Sequence, residues 1–243
     1  MSITPDFESK PSTRAVVALD YVAIELSTHR TTAMTTNRRL GNKTSKNRSA
    51  LIEAAETVMC RDGYASVTAR KVASEAGLKV QLVYYYFESM DALVIELIEK
   101  NSAARMKHFV KALTSTHPLR ALWELNRNKS SALFTTEILA MANHKESIRQ
   151  ALASIGDEFR QLQSQAVDEI LRAKGVDTDR YPATAIVATV AALSRAMAQD
   201  SALGANTGYT EAETIIENLI TELTKESNDY RSHSNLPPII DLC

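Results

Sequence analysis

The sequence predicts an all-α chain, and three observations carry the prediction. Glycine and proline are scarce, at 7 and 6 among 243 residues, which argues against a turn-rich sandwich of strands. Strong helix formers (Ala, Leu, Glu, Lys, Arg and Gln) are plentiful. Apolar residues recur at helical spacing in one segment after another, and a capping residue, Gly or Pro separates the segments. With 44% apolar residues the chain can bury one large core or two small ones.

Residues 1–46 are polar, rich in Thr, Ser and Asn, and lack a sustained period, so they are expected to form a flexible extension ending in a basic arm. Within it "AVVALDYVAIEL" comes nearest to a secretion signal, but Asp20 and Glu25 interrupt it and no basic stretch of the usual kind precedes it. A first helix is expected over residues 47–62, where Leu51, Ile52, Ala55, Val58 and Met59 form one stripe and Gly63 ends it. Thr68 is a cap for a second, short helix with Ala69, Val72, Ala73 and Ala76 on its inner face; Gly77 ends that one. Leu78 and Lys79 make a very short link to a third helix reaching about Phe87. The run "VQLVYYYF" has strand propensity, which the flanking caps and the Ala-Gly turn override. Ser89 caps a long helix to residue 113, with Asp91 in the first turn, where its charge suits the helix dipole. Leu93, Val94, Leu97, Ile98, Phe109 and Val110 are its apolar positions, and "TSTHP" breaks it.

Further helices are expected over 119–128, 131–143, 146–174, 182–199 and 211–225. The 146–174 helix carries Ile148, Leu152, Ile155, Phe159, Leu162, Ala166 and Ile170 as its stripe, and Gly175 caps it. Residues 226–243 are a polar, Pro-containing tail. The expected organisation is an extension (1–46), a three-helix segment (47–92), a helical body (93–225) and the tail (226–243).

The net charge of −1 conceals a division. Residues 30–87 hold ten Lys and Arg against four acids, so a segment of net +6 is joined to an acidic body, which suits a polyanion partner. Three helices within 47–87, two of them joined by a very short turn, have the arrangement of a helix-turn-helix. Ala73 and Ala76 are small where the two helices cross, Gly77 tolerates positive φ at the turn, Leu78 plugs the core, and Val83 and Phe87 anchor the second helix of the pair.

These residues resemble the TetR family of transcriptional regulators. The resemblance lies in Ala54-Ala55, Gly63-Tyr64, Thr68, Val72-Ala73, Ala76-Gly77-Leu78 and Val83-Tyr84-Tyr85-Tyr86-Phe87, an ordered set within residues 50–93. It implies that Lys46, Thr68, Ala69, Arg70, Lys79, Val80, Gln81, Tyr84, Tyr85 and Tyr86 face double-stranded operator DNA, with helix 80–86 in the major groove. It places Thr68, Ala69 and Arg70 near phosphates, Tyr84 and Tyr85 near bases or backbone, and the Tyr86 hydroxyl on a phosphate. The competing role, packing against the first or the long helix, falls most naturally to Tyr84. The chain departs from the family pattern twice. Lys79 replaces a small hydroxyl residue, and Met90 replaces a frequent Lys at the start of the long helix. Gln81 is open to two readings, an amide that reads adenine or a solvated side chain.

In the body, Ile186, Val190 and Leu193 on one helix and Ile215, Ile216, Leu219, Ile220 and Leu223 on the next form apolar faces wider than a monomer readily buries. They are expected to build a two-fold, four-helix homodimer interface. Trp123, Phe134, Met141, Phe159 and Met197, with Asn143 and His144 nearby, are candidates to line an effector pocket for a small apolar or aromatic molecule. No run is long enough to span a membrane. Two cysteines, Cys60 and Cys243, are too few for a disulfide framework or a metal site, which fits a reducing cytoplasm. No phosphate-binding Gly loop, metal-spaced cluster or Gly-x-Ser-x-Gly is present, so neither an enzyme nor a cofactor is expected. The expected function is a ligand-responsive, sequence-specific DNA-binding regulator, a homodimeric repressor released by its effector. The alternative is a helical dimer that binds small molecules or scaffolds partners without specific DNA binding.

Overall fold

The computed structural model describes residues 45–127 and 132–224. The basic residues Arg38, Arg39 and Lys43 and the tail 226–243 lie outside the described residues. Every regular element described is helical: α1 (Lys46–Asp62), a 3-10 turn (Tyr64–Ser66), α2 (Ala69–Glu75), α3 (Gln81–Tyr86), α4 (Met90–Leu113), α5 (Pro118–Asn126), α6 (Ala132–His144), α7 (Glu146–Ala173), α8 (Ala183–Ala202) and α9 (Tyr209–Thr224).

The boundaries follow from local chemistry. Thr68 caps α2 by accepting from the Lys71 amide at 3.3 Å, and Ser89 caps α4 by accepting from the Ala92 amide at 3.0 Å. The α2 end is closed by Gly77 at φ 64°, which turns the chain so that the Leu78 amide donates to the Ala73 carbonyl at 2.8 Å. A side chain at Gly77 would meet no neighbour, so backbone conformation alone requires glycine there. Pro118 opens α5, where its missing N–H costs nothing.

The α1 stripe is buried as expected: Leu51, Ile52, Ala55, Val58 and Met59 join Val72, Ala73, Val83 and Phe87 in one cluster. That cluster is not closed by residues 47–92 alone. Leu93, Val94, Leu97 and Ile98 of α4, Phe134, Ile138, Met141 and Ala142 of α6, and Ile148 of α7 complete it. Met90 packs against it from the side.

The apolar stripe of α7 differs from the expected one in its second half. Ile148 and Phe159 are buried, but Gln163, Val167 and Leu171 are buried after them, while Leu162, Ala166 and Ile170 are only half-buried. A stripe traced through apolar residues alone skips Gln163, and omitting it moves the traced face by one residue, about 100° around the helix.

Candidate nucleic-acid interface and body cavities

The short link after Gly77 throws α3 across α2 and turns one face of it outward. On a helix of 3.6 residues per turn, Val83, Tyr86 and Phe87 fall on one arc. All three are buried, Tyr86 at 7% exposure. Tyr84 and Tyr85 fall opposite and are 48% and 52% exposed. The Tyr86 hydroxyl lies 2.8 Å from Ser45 Oγ, and its ring meets Tyr85 edge-on with centroids 4.9 Å apart.

This corrects two expectations. The packing tyrosine is Tyr86, not Tyr84, because residue 86 is one turn beyond Val83 on the inward arc. The Tyr86 hydroxyl is engaged by Ser45 rather than held out toward solvent. The Ala69 side chain is buried in the common core, at the first position of α2. Lys46, Thr68, Arg70, Lys79 and Gln81 are exposed, with Tyr84 and Tyr85 beside the last two, and Val80 is half-buried against the core.

The charges of this segment are unevenly committed. Arg48 is buried, pairs with Glu96 and lies 4.9 Å above the Phe87 ring. Arg61 bridges Asp62 and Glu75, both at 2.9 Å, and Lys71 takes Asp62 at 2.9 Å. The hydrogen bonds from Arg61, joined by Lys71, hold the Asp62 carboxyl down at about 2 and push the Arg61 guanidinium up. Lys46, Arg70 and Lys79 form no ion pair among the described residues, so of the described bases of the segment these three are available to a polyanion. Met90 is half-buried against the core, so the frequent Lys of that family position has an apolar anchor in its place.

The segment is tied to the body at two places. The Tyr64 amide donates to Glu137 Oε2 of α6 at 2.6 Å. Asp91 at the start of α4 accepts from Ser147 Oγ of α7 at 2.6 Å and pairs with Lys145. The Lys145 hydrogen bond, then that of Ser147, lowers the Asp91 carboxyl below its ordinary value.

Among the described residues, the body contains at least two cavities. The larger, about 140 Å³, is walled by α4, α5, α6, α7 and α8 and lined by residues that include Arg105, Asn126, Phe159, Gln163, Ser194 and Arg195. The smaller, about 70 Å³, is apolar and lies between α5, α7, α8 and α9, with Trp123, Ile186, Val190, Ile216, Leu219, Ile220 and Leu223 on its walls. Of the expected pocket residues, Phe159 lines the larger cavity and Trp123 the smaller. Phe134 and Met141 line neither; they are core residues that join α6 to the helix-turn-helix. Met197 is buried and lines neither. Asn143 and His144 are exposed at the end of α6. A single sequence does not distinguish an apolar residue that plugs a core from one that walls a cavity, and the signal it overlooked was polar: Gln163 and Ser194 on inward positions.

The expected dimer residues also divide. Ile215, 65% exposed, faces outward on α9, whereas Leu219 is partly exposed and also lines the smaller cavity. Ile220 is buried, and Ile186, Val190, Leu193, Ile216 and Leu223 are half-buried. Five of these six wall the apolar crevice inside the chain, Leu193 being the exception. The outward face of α8 is instead the small one, with Ala185, Ala188 and Ala192 exposed. Among the described residues no helix is long and apolar enough to cross a membrane, and no group of three or more His, Cys, Asp or Glu side chains is placed to hold a metal ion.

Residues 51–97, from α1 into α4, match the family model for bacterial regulatory proteins of the tetR family. No curated protein matches the chain. Among solved structures, Salmonella enterica GusR is similar at 18% identity over 76% of this chain and 100% of its own, with a TM-score of 0.61. E. coli NemR in its reduced form is similar at 15% identity over 72% and 97%, TM-score 0.60. The fatty acid degradation regulator FadR from Bacillus halodurans is similar at 16% identity over 66% and 88%, TM-score 0.53. At these identities the likeness is one of fold, and it extends beyond the helix-turn-helix into the body. The family match thus covers the helix-turn-helix, residues 51–97, and the body is similar to these regulators in fold.

Proposed function

We propose that the chain is a ligand-responsive repressor that binds operator DNA as a homodimer, inserting α3 into the major groove. The single observation that carries this is the outward face of α3. Two tyrosines about half exposed lie on a helix whose opposite face is locked into the core, and the exposed cations Arg70 of α2 and Lys79 of the turn form no ion pair among the described residues. Cations position the protein on phosphates, and the Gln81 amide and the Tyr84 and Tyr85 hydroxyls are suited to base edges or backbone. Exposed Ile215 and Leu219 on α9, with the alanine face of α8, supply the four-helix two-fold contact, and the two α3 helices then address half-sites about 34 Å apart.

Release follows from how α3 is held. Its anchor Phe87 leads within three residues into α4, and α4 carries Arg105 on the wall of the larger cavity. An effector that favours a different α4 position changes the spacing of the two α3 helices, and its differential affinity for the two spacings sets the size of the response. Footprinting with the full chain on DNA upstream of its own coding region tests the proposal. Protection of two half-sites is expected, with affinity falling steeply as salt rises. A folded dimer that protects no DNA at low salt would leave only the dimer without specific DNA binding.

A further inference from the structure

The larger body cavity has a chemistry that an apolar effector does not match. Arg105 from α4 and Arg195 from α8 both line it, and neither pairs with a carboxylate among the described residues. A third arginine at the rim, Arg160, is already taken by Asp157. Arg105 reaches Asn126 Oδ1 at 3.2 Å, a neutral acceptor, and lies 5.0 Å from the Phe159 ring centroid. Two further polar side chains in the walls, Gln163 and Ser194, are more than nine-tenths buried, and Ser194 Oγ has no hydrogen-bond partner. A buried hydroxyl is ordinarily satisfied, and here Ser194 Oγ is left without a partner in a cavity that two exposed arginines also line.

We propose that this cavity binds a small carboxylate, held between Arg105 and Arg195 with its apolar part on Phe159. The anion supplies what the walls lack: negative charge between two guanidinium groups and acceptor oxygens for Ser194 and the Gln163 amide. Size narrows the class. A void of about 140 Å³ is close to one that accepts a single benzene ring, so the ligand is compact, with about ten heavy atoms or fewer, and a long acyl chain has no room. Arg105 is exposed, and desolvation by the protein around it, then the Arg195 charge, pushes its guanidinium below the ordinary arginine value. An anion between the two groups relieves both effects. The ligand would draw α4, α7 and α8 together. Thr135 of α6 also faces the cavity, two residues from the Glu137 that holds the Tyr64 amide.

The effector role of this ligand rests on the regulator reading, whereas its chemistry does not. The test is thermal unfolding and calorimetry of the full-length protein with benzoate and cyclohexanecarboxylate, each against its own amide, and with inorganic phosphate. At least one acid is expected to bind about tenfold or more tightly than its amide, the scale of one charged hydrogen bond. R105Q and R195Q are each expected to remove that preference, and R195Q to raise the melting temperature of the ligand-free protein by relieving the like charge. Circular dichroism of both variants establishes that they fold, and R195Q, at an exposed position, keeps the test decisive if R105Q does not. Acids and amides that bind alike, variants that respond as wild type does, or phosphate binding that matches the carboxylates would each overturn the proposal. Operator binding is measured on the same preparations. DNA binding without selectivity for the acids refutes the carboxylate site and leaves the regulator. Selectivity for the acids without DNA binding supports the site and refutes the regulator.

Discussion

Truncating each of two adjacent tyrosines in turn separates the two faces of α3. Tyr85 is 52% exposed and makes no hydrogen bond among the described residues, so Tyr85→Ala removes little buried area and is expected to stay within about 0.5 kcal/mol of wild-type stability. Tyr86 is 7% exposed, and Tyr86→Ala is expected to cost about 3–5 kcal/mol, as for other large aromatic truncations in cores. Tyr86→Phe keeps the ring and removes only the hydroxyl that meets Ser45 Oγ at 2.8 Å, so about 0.5–1.5 kcal/mol is expected. For a chain of this size 1 kcal/mol corresponds to roughly 2–4 °C in melting temperature, so the three variants are resolvable in a thermal scan. Fluorescence anisotropy on operator DNA supplies the second axis. Tyr85→Ala is expected to weaken binding by about tenfold. Tyr86→Phe should leave binding near wild type. The reasoning is refuted if Tyr85→Ala unfolds the protein. It is equally refuted if Tyr86→Phe loses DNA affinity with unchanged stability, because the hydroxyl would then serve phosphate rather than Ser45.

Arg70→Gln and Lys79→Gln should each weaken binding across DNA sequences and reduce the slope of log affinity against log salt by about 1; Arg61→Gln, already paired with Asp62 and Glu75, should leave the slope unchanged. Replacing Ile215 with Glu should give a monomer in analytical ultracentrifugation with an unchanged helical spectrum, since its side chain is 65% exposed and lines neither cavity. Asp91 has a lowered folded-state carboxyl pKa, so its stabilising contribution is fully present above the ordinary Asp value of about 3.9 and is lost as pH falls below that value. The melting temperature of wild type should therefore fall more between neutral pH and pH about 3 than that of Asp91→Asn. Glu137→Gln keeps the shape but weakens the charge-assisted bond to the Tyr64 amide, and should speed amide exchange at Tyr64 with little change in the far helices.

Much of this architecture is legible from periodicity and punctuation. Thr68, Gly77 and Ser89 are caps whose chemistry is local, so a single sequence suffices to place the ends of α2 and the start of α4. The α1 stripe is legible because its apolar residues leave no rival face. Phase is harder where several candidates are chemically alike. Three consecutive tyrosines all tolerate an interface, and only the geometry of α3 sorts Tyr86 inward. Charge is harder still, because a sum over residues does not show that Arg48, Arg61 and Lys71 are spent on Glu96, Asp62 and Glu75. The cavity was the least legible feature. Its distinguishing residues are polar and lie on four helices, from Arg105 to Arg195, so no spacing in the sequence joins them.

The same reasoning explains why α6 matters more than its sequence suggests. Read alone, "ALFTTEILAMANH" is one more amphipathic helix of the body. In the fold, Phe134, Ile138 and Met141 are buried among Leu51, Met59 and Leu97, so the helix-turn-helix and the body share one packed core rather than meeting at a surface. Close-packed cores do not deform gradually, and a shift in one member has to be taken up by its neighbours. Glu137 adds a directional bond on the same helix, and Thr135 brings that helix to the cavity wall. A displacement of α6 is thus felt at the Tyr64 turn directly, without passing down the length of α4. The two routes make different demands. One through α4 needs the long helix to move as a rigid lever, whereas one through α6 needs only the Tyr64 turn to loosen, so Glu137→Gln should blunt an effector's release of DNA only if the α6 route operates.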